Sequence, residues 1–587
     1  MSDKHRPAGA YLSRNLPVFL FLAVSIVILV IDSVNGSSVK DIDDIARKLQ
    51  IRDLLTDGDW YDLTWPFLAT DPAYTSPWSR LVDLPYILVT KLFQPVLGME
   101  SAFLVARFIV PPLWLAAYSY LAVKLMKVFL GEDLRLAHVA AAAAASLFAV
   151  IEFMPTRIDH HNVQMVFLLM VCLGVVSSHR YAGILLAAGS ILSVAVGLEC
   201  IPYIAVAMAG VALYAALDPA SSMTRRLTWM GLTLLVVTIP VSLVLNGPSV
   251  WQTQCDALSL PWISVLMLGG IVATTVPAIW RVMHMTAALP RLIVLACVGA
   301  GALMILWLSF PECHSGPYPM VNDVARTYWL SNVIQEVGPA AAFARGEYML
   351  AAIFLFLLGL MIAALLTPRA RASSIVIILA MGIAGVTLTC FQMRNFKFPS
   401  VILPLLLPLF ICHVRQTRNI RLLYPVLAIP LSILVAFMIL VKPDKRDFTL
   451  IDYMEGDHCQ QADFSALDRV PPSRIMAPLG LSLTIAQHIS QTGSGHTVAP
   501  LPFHRASPDM KRMFEVFVLT DPEVRRKALE NFDYIAICRL PETDADAEQA
   551  PLFGVLSSGK DWPGLEDVPQ ESETRLRLLK IGHDKLK

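Results

Sequence analysis

Residues 138–176 read HVAAAAAASLFAVIEFMPTRIDHHNVQMVFLLMVCLGVV, and this stretch decides the fold. Two apolar runs, His138–Phe153 and Val163–Val176, enclose a short polar turn holding Arg157, Ile158, Asp159, His160 and His161. A bilayer core about 30 Å thick calls for ~20 apolar residues per helical span, because lipid offers no partner for backbone polar groups. The two runs therefore read as adjacent membrane spans. The charged turn between them sits where unpaired charge is costly and usually has a task.

Working outward, similar runs recur along the 587 residues, which are 56% hydrophobic and 16% charged with mean hydropathy +0.60. Soluble domains are nearer 45–50% apolar and about 25% charged. About thirteen spans are expected. The others centre near Phe19–Ile31, Phe103–Met126, Gly183–Val196, Ile201–Ala216, Met230–Leu245 and Ile263–Ile279. Further along come Leu292–Ser309, Leu350–Leu366, Ile375–Leu388, Val401–Cys412 and Val426–Val441. The formal net charge of +0 gives no sign of nucleic-acid binding.

Lysine and arginine mark every second loop: Lys4/Arg6/Arg14, Lys124/Lys127/Arg135, Arg180, Arg225/Arg226, Arg281/Arg291, Arg369/Arg371 and Arg415/Arg418/Arg421. Basic loops stay cytoplasmic, so the long polar loops and the tail are expected on the outside. The first span follows a basic segment and reads as an uncleaved anchor rather than a signal peptide. The expected organisation is an all-α polytopic membrane domain over residues 1–441, including outer loops 32–101 and 310–349. A small extracytoplasmic α/β domain over residues 442–587 follows. In the tail, Arg474–Ala477 and Tyr534–Cys538 read as strands, and Ser482–Ser490, Pro508–Val518 and Pro522–Asn531 as helices, the last opened by an Asp521 cap. Residues Val39–Leu55 read as an amphipathic helix on the membrane interface.

Five of the nine cysteines lie in or beside apolar spans; Cys255, Cys313, Cys459 and Cys538 lie outside. In an oxidising compartment these four suit two disulfides. Sequence leaves their connectivity open, although Cys459 with Cys538 is an expected pair.

Three outer clusters carry candidate chemistry: Asp57-Gly58-Asp59-Trp60-Tyr61-Asp62, Arg157-Ile158-Asp159-His160-His161 and Val333-Ile334-Gln335-Glu336. Carboxylates and imidazoles are ligands that hard and borderline divalent ions accept. A fourth cluster, Gln392-Met393-Arg394-Asn395-Phe396-Lys397, puts cations at an outer span end, against the positive-inside trend. A guanidinium there matches a phosphate bidentately, or it snorkels to headgroups.

In these motifs, their order and their common sidedness, residues 15–440 resemble the catalytic subunit of oligosaccharyltransferase and its single-subunit relatives, members of the C-type glycosyltransferase superfamily. Archaeal members write the second motif Asp-His-His, as Asp159-His160-His161 does. Val333-Ile334-Gln335-Glu336 is similar to the family's Thr-Ile-x-Glu motif, and Arg394 falls where an arginine contacts the donor phosphate. The resemblance implies an inverting transfer of a sugar from a polyprenyl phosphate or diphosphate to a glycan, lipid or protein acceptor. It implies a divalent metal, Mg or Mn, on Asp59, Asp159, His161 and Glu336. Asp57, Asp59 and Glu336 would be catalytic, and Arg394, Arg157 and Lys397 would hold the donor phosphate. The expected location is a bacterial inner membrane, with the site and tail facing the periplasm. The tail departs from the family: its one tryptophan is Trp562, and no Trp-Trp-Asp acceptor motif is present. A lipid-linked glycan transporter or a non-catalytic assembly protein is the competing expectation. A transporter should place charge near the midplane, and Glu199 is the one acidic residue in an apolar break.

Overall fold

Each of the apolar runs is helical in a computed structural model that describes residues 8–35, 42–56, 58–372, 374–443, 450–456, 458–459, 462–540, 550–569 and 574–586. Among these residues, eight helices are long and apolar enough to cross a membrane. The pair Leu136–Ala145 and Leu147–Phe153, bent by 65°, makes a ninth if it is one span. Four shorter apolar helices, His161–Val176, Ala182–Val196, Ile201–Leu217 and Ile375–Phe391, complete a one-to-one match with the thirteen runs.

These helices form one compact unit made of Met1–Val39, Trp78–His314 and Val337–Pro443. Lipid tails are as apolar as leucine, so spans associate by close packing at small residues. A Cβ on Gly174 would lie 2.5 Å from the Leu186 nitrogen, and one on Gly231 would lie 2.8 Å from the Gly270 oxygen. Side chains larger than hydrogen would force those helix pairs apart. The most apolar windows of Ala288–Ser309 and Ile420–Leu440 bury none of their residues, whereas that of Met393–Thr417 buries 78%. The first two are peripheral and the third is central. The bend at Ser146, whose hydroxyl donates back to the Ala142 carbonyl at 2.9 Å, is followed by a 3-10 turn at Ile151–Phe153 and a positive φ at Thr156. Such back-bonding helps to bend helices, and here the bend swings Glu152 off the span axis. A disulfide joins Cys255 to Cys313.

The second unit comprises Lys40–Pro77, Ser315–Glu336 and Asp444–Lys587. Its sheet has strands β1 (Arg474–Met476), β2 (Thr497–Ala499), β3 (Tyr534–Cys538), β4 (Leu565–Asp567) and β5 (Leu576–Ile581), in the order β2-β1-β3-β5-β4. The pairs β2–β1 and β1–β3 are parallel; β3–β5 and β5–β4 are antiparallel. Helix Leu479–Thr492 makes the crossover between β1 and β2, and helices Ser507–Phe517 and Pro522–Leu529 follow. The Asp521 side chain accepts from the Glu523 N–H at 2.9 Å, as an N-cap should. A disulfide joins Cys459 to Cys538. The expected fold class, a helical membrane domain with a small α/β domain, is the one observed.

Two segments that the sequence assigns to the membrane domain as outer loops are built into this second unit instead. Ala69 donates its N–H to the Val498 carbonyl at 3.0 Å, extending the sheet edge beyond β2. Val321 and Ala325 enter the same core as Met476, Phe514, Ile535 and Leu579. The Asn322 amide donates to the Ser507 carbonyl at 2.7 Å. Helix Ile42–Thr56 buries Ala46, Leu49, Ile51 and Leu55 and packs on helix Leu479–Thr492. Its apolar face is thus spent on protein, which corrects the expectation of an interfacial helix. Helix Asp83–Leu97, in the first unit, has the open apolar face: Leu88, Leu92 and Val96, spaced by four, are all exposed.

Candidate functional site

The turn Met154–His160 lies between the bent span and the helix His161–Val176, and it brings charge into a buried setting. Asp159 has no exposed surface, and Glu152, His160 and His161 are buried with it. Arg157 Nη2 reaches Asp159 Oδ2 at 3.0 Å and Glu152 Oε2 at 3.1 Å. Lys397 Nζ lies 3.6 Å from Glu152 Oε1 and 3.6 Å from Asp159 Oδ2. Lys397 comes from the 3-10 turn Met393–Lys397 at the head of the central span. His160 Nδ1 is 3.1 Å from Asp159 Oδ1, and its Nε2 is 3.5 Å from Glu199 Oε1. Gln164 donates to Glu199 Oε2 at 2.8 Å. The Asp159 carboxylate also accepts the His161 backbone N–H at 3.2 Å. Tyr86 Oη donates to the Arg157 carbonyl at 3.0 Å, and the Trp78 ring lies 5.8 Å from that of His160.

Electrostatics follow from these neighbours. Burial alone would lower the pKa of His160, but its hydrogen-bonding carboxylates Asp159 and Glu199 push it up to about 9. Burial would raise Asp159; the positive charges of Lys397 and His160 beside it hold it well below the usual carboxylate range. Glu199 is likewise held low, against burial, by His160 and Arg394. With His160 protonated, Glu152, Asp159 and Glu199 face Arg157, Lys397 and His160, with Arg394 adding positive charge on the Glu199 side, so acids and bases are closely matched.

Asp159, His160 and His161 each offer a ligand atom, and these atoms lie within 4.8 Å of one another. The His161 Nδ1 is 3.2 Å from Gln164 Oε1. A proton on Nδ1, donated to that oxygen, leaves Nε2 as a free acceptor, the usual state of a ligating histidine. A divalent ion would displace the His160 proton, and one carboxylate and two imidazoles would then fit it.

The other sequence-predicted residues are placed as follows. Arg157 and Lys397, expected on the donor phosphate, are engaged by carboxylates. Arg394, half-buried, places its charge toward Glu199. Asp59 is exposed in the second unit, where its Oδ1 accepts from the Tyr61 N–H at 2.8 Å. Glu336 closes the short 3-10 turn Ile334–Glu336 of the same unit. Asp57 lies outside the described residues. Sequence reasoning missed Glu152 and the pairing of Glu199 with His160. The one available signal was an acid interrupting each apolar run.

The sequence matches no family model, and no curated protein matches it. Solved structures do match, and they define the architecture as that of an oligosaccharyltransferase-like membrane fold. Archaeal oligosaccharyltransferase AglB from Archaeoglobus fulgidus, in complex with an inhibitory peptide and a dolichol-phosphate, superposes with TM-score 0.59 at 11% identity, over 96% of this chain and 74% of that chain. The Archaeoglobus fulgidus oligosaccharyltransferase tethered with an acceptor peptide containing the NVT sequon gives TM-score 0.56 at 11% identity, over 97% and 74%. Its complex with Zn and sulfate gives TM-score 0.54 at 11% identity, over 95% and 72%. At this identity the likeness speaks for the fold.

Proposed function

We propose that this protein is a membrane glycosyltransferase that moves a sugar or oligosaccharide from a polyprenyl phosphate or diphosphate to an acceptor outside the cytoplasm. The observation that carries this reading is the buried cluster of Glu152, Arg157, Asp159, His160, Glu199 and Lys397 at span ends, in a fold shared with enzymes solved with dolichol-phosphate and acceptor peptide. From the alternating basic loops we infer that the site faces away from the cytoplasm; a bacterial inner membrane, with the site facing the periplasm, is the location we propose.

Asp159, His160 and His161 would hold a divalent ion, and two imidazoles favour a borderline ion such as Mn over Mg. When bound, the ion supplies Lewis-acid stabilisation of the phosphate leaving group. Gln164 orients His161, and Glu199 orients His160. Arg157 and Lys397 keep Asp159 ionised and fixed in place. Arg394 is the cation we assign to the donor phosphate, where charge develops as the glycosidic bond breaks. Direct displacement inverts the anomeric centre. For Asp59 and Glu336 as further metal and catalytic groups, and for Asp57 as a base on the acceptor hydroxyl, the proposal rests on the family resemblance alone.

Membranes containing the protein, given radiolabelled polyprenyl-linked sugars, should pass label to a glycan, lipid or protein fraction, and the receiving fraction identifies the acceptor class. Movement of intact labelled lipid between leaflets without transfer would make the protein a transporter and overturn the proposal.

A further inference from the structure

At the basic end of the membrane unit, among residues other than those of the Asp159 turn, lies a polar cavity of about 260 Å³ lined by Asp133, Arg135, His138, Cys412, Arg415 and Gln416. It opens between the start of helix Leu136–Ala145 and the end of the central helix Pro399–Thr417. Its one lining carboxylate, Asp133, is paired with Arg369 at 2.9 Å. That leaves the Arg135 and Arg415 guanidinium groups as the charge facing the space. His138 is buried, and its Nδ1 accepts the Arg135 backbone N–H at 3.2 Å. The neutral ring must then carry its proton on Nε2. That N–H faces the buried Cys412 Sγ at 3.6 Å, and thiol sulfur is a weak acceptor that a stronger one displaces.

We propose that this cavity binds a phosphate group, with Arg135 and Arg415 on its charged oxygens and His138 Nε2 donating to a third. Paired guanidinium groups match phosphate geometry, and the charge-assisted bonds are the strong ones. Arg135 is also the N-cap of its helix, where the positive end of the helix dipole favours an anion. Basic side chains at a span end ordinarily only snorkel to the interface; an open pocket backed by a buried imidazole donor is more than that requires. The phosphate is either the headgroup of an anionic lipid in the adjoining leaflet or a free phosphate ion.

Native mass spectrometry of the intact protein in detergent, with phosphatidylglycerol and phosphatidylcholine at equal concentration, tests the site. The wild type should retain one phosphatidylglycerol with a preference of about tenfold or more. Arg135→Gln/Arg415→Gln should bring the ratio near unity, and either single variant should lower it roughly threefold should the double prove unstable. Arg371→Gln/Arg418→Gln, on the same basic face but outside the cavity, should leave the ratio unchanged. Displacement of the lipid by millimolar inorganic phosphate would identify a free-ion site, and resistance to it a headgroup site. Equal retention of the two lipids by the wild type, or equal loss in both double variants, would overturn the proposal.

Discussion

Replacing Lys397 by Met tests whether the buried cluster is held by charge balance. Lys397 Nζ sits 3.6 Å from both Glu152 and Asp159, with its side chain 7% exposed. At an effective dielectric of about 20, each pair is worth roughly 4.6 kcal/mol of gross attraction. Most of that offsets desolvation, so the net cost of breaking the pairs is nearer 3–5 kcal/mol. Lys397→Met leaves Glu152 and Asp159 without the ammonium that both carboxylates share. Glu152→Gln makes the opposite error and leaves an excess cation. Each single variant should lose about 3–5 kcal/mol in unfolding by SDS titration from mixed micelles. The double variant Lys397→Met/Glu152→Gln restores the balance and should be less destabilised than the sum of the singles by at least ~2 kcal/mol. Additive losses, or a Lys397→Met variant as stable as wild type, would show that the ion pairs do not couple and would refute the charge-balance reasoning.

Asp159→Ala and His161→Ala should each reduce bound Mn or Zn, read by elemental analysis of the purified protein, and cut transfer by orders of magnitude, since ~1.4 kcal/mol of lost transition-state stabilisation is tenfold; retained metal in both variants would remove these residues from the ligand set. In the second unit, burial raises Asp509 from 3.8 to about 6, opposed by Arg512 and Arg474. A raised carboxyl contributes stability that is complete below pH 3.8 and lost as pH rises through about 6. Asp509→Asn should therefore stabilise this unit at pH 7.5, by at most about 3 kcal/mol, with a gain that fades on acidification; a pH-independent difference in unfolding midpoint would count against it. Reporter fusions after Arg421 should be cytoplasmic and those after Lys442 external, and a cytoplasmic Lys442 fusion would invert the sidedness assigned to the site.

The thirteen apolar helices were readable because lipid imposes a length and an apolarity that no soluble context requires. Asp159 and His161 stood out for the same reason, being polar where polarity is costly. What sequence could not supply was partnership. Glu152 ends an alanine-rich run and has no visible partner in the sequence; beyond the bend at Ser146 it meets Lys397. The amphipathic pattern of Ile42–Thr56 established that one face must be covered, and covering by protein or by lipid leaves the same pattern. Segments 40–77 and 315–336 looked like loops of the membrane domain because their sequence neighbours are spans; their long-range partners Val498 and Ser507 place them in the other unit. Arg394 and Lys397 show the limit most sharply. Both read as outer cations available to a phosphate. The turn that carries them is 3-10, in which residues three apart eclipse. Both therefore point to one side of the turn, where Lys397 meets Glu152 and Asp159 while the charge of Arg394 reaches Glu199. Lys397 thus meets the acids at the scaffold of the cluster, and the proposed donor-phosphate contact is assigned to the half-buried Arg394 on the resemblance of its position to the family's arginine.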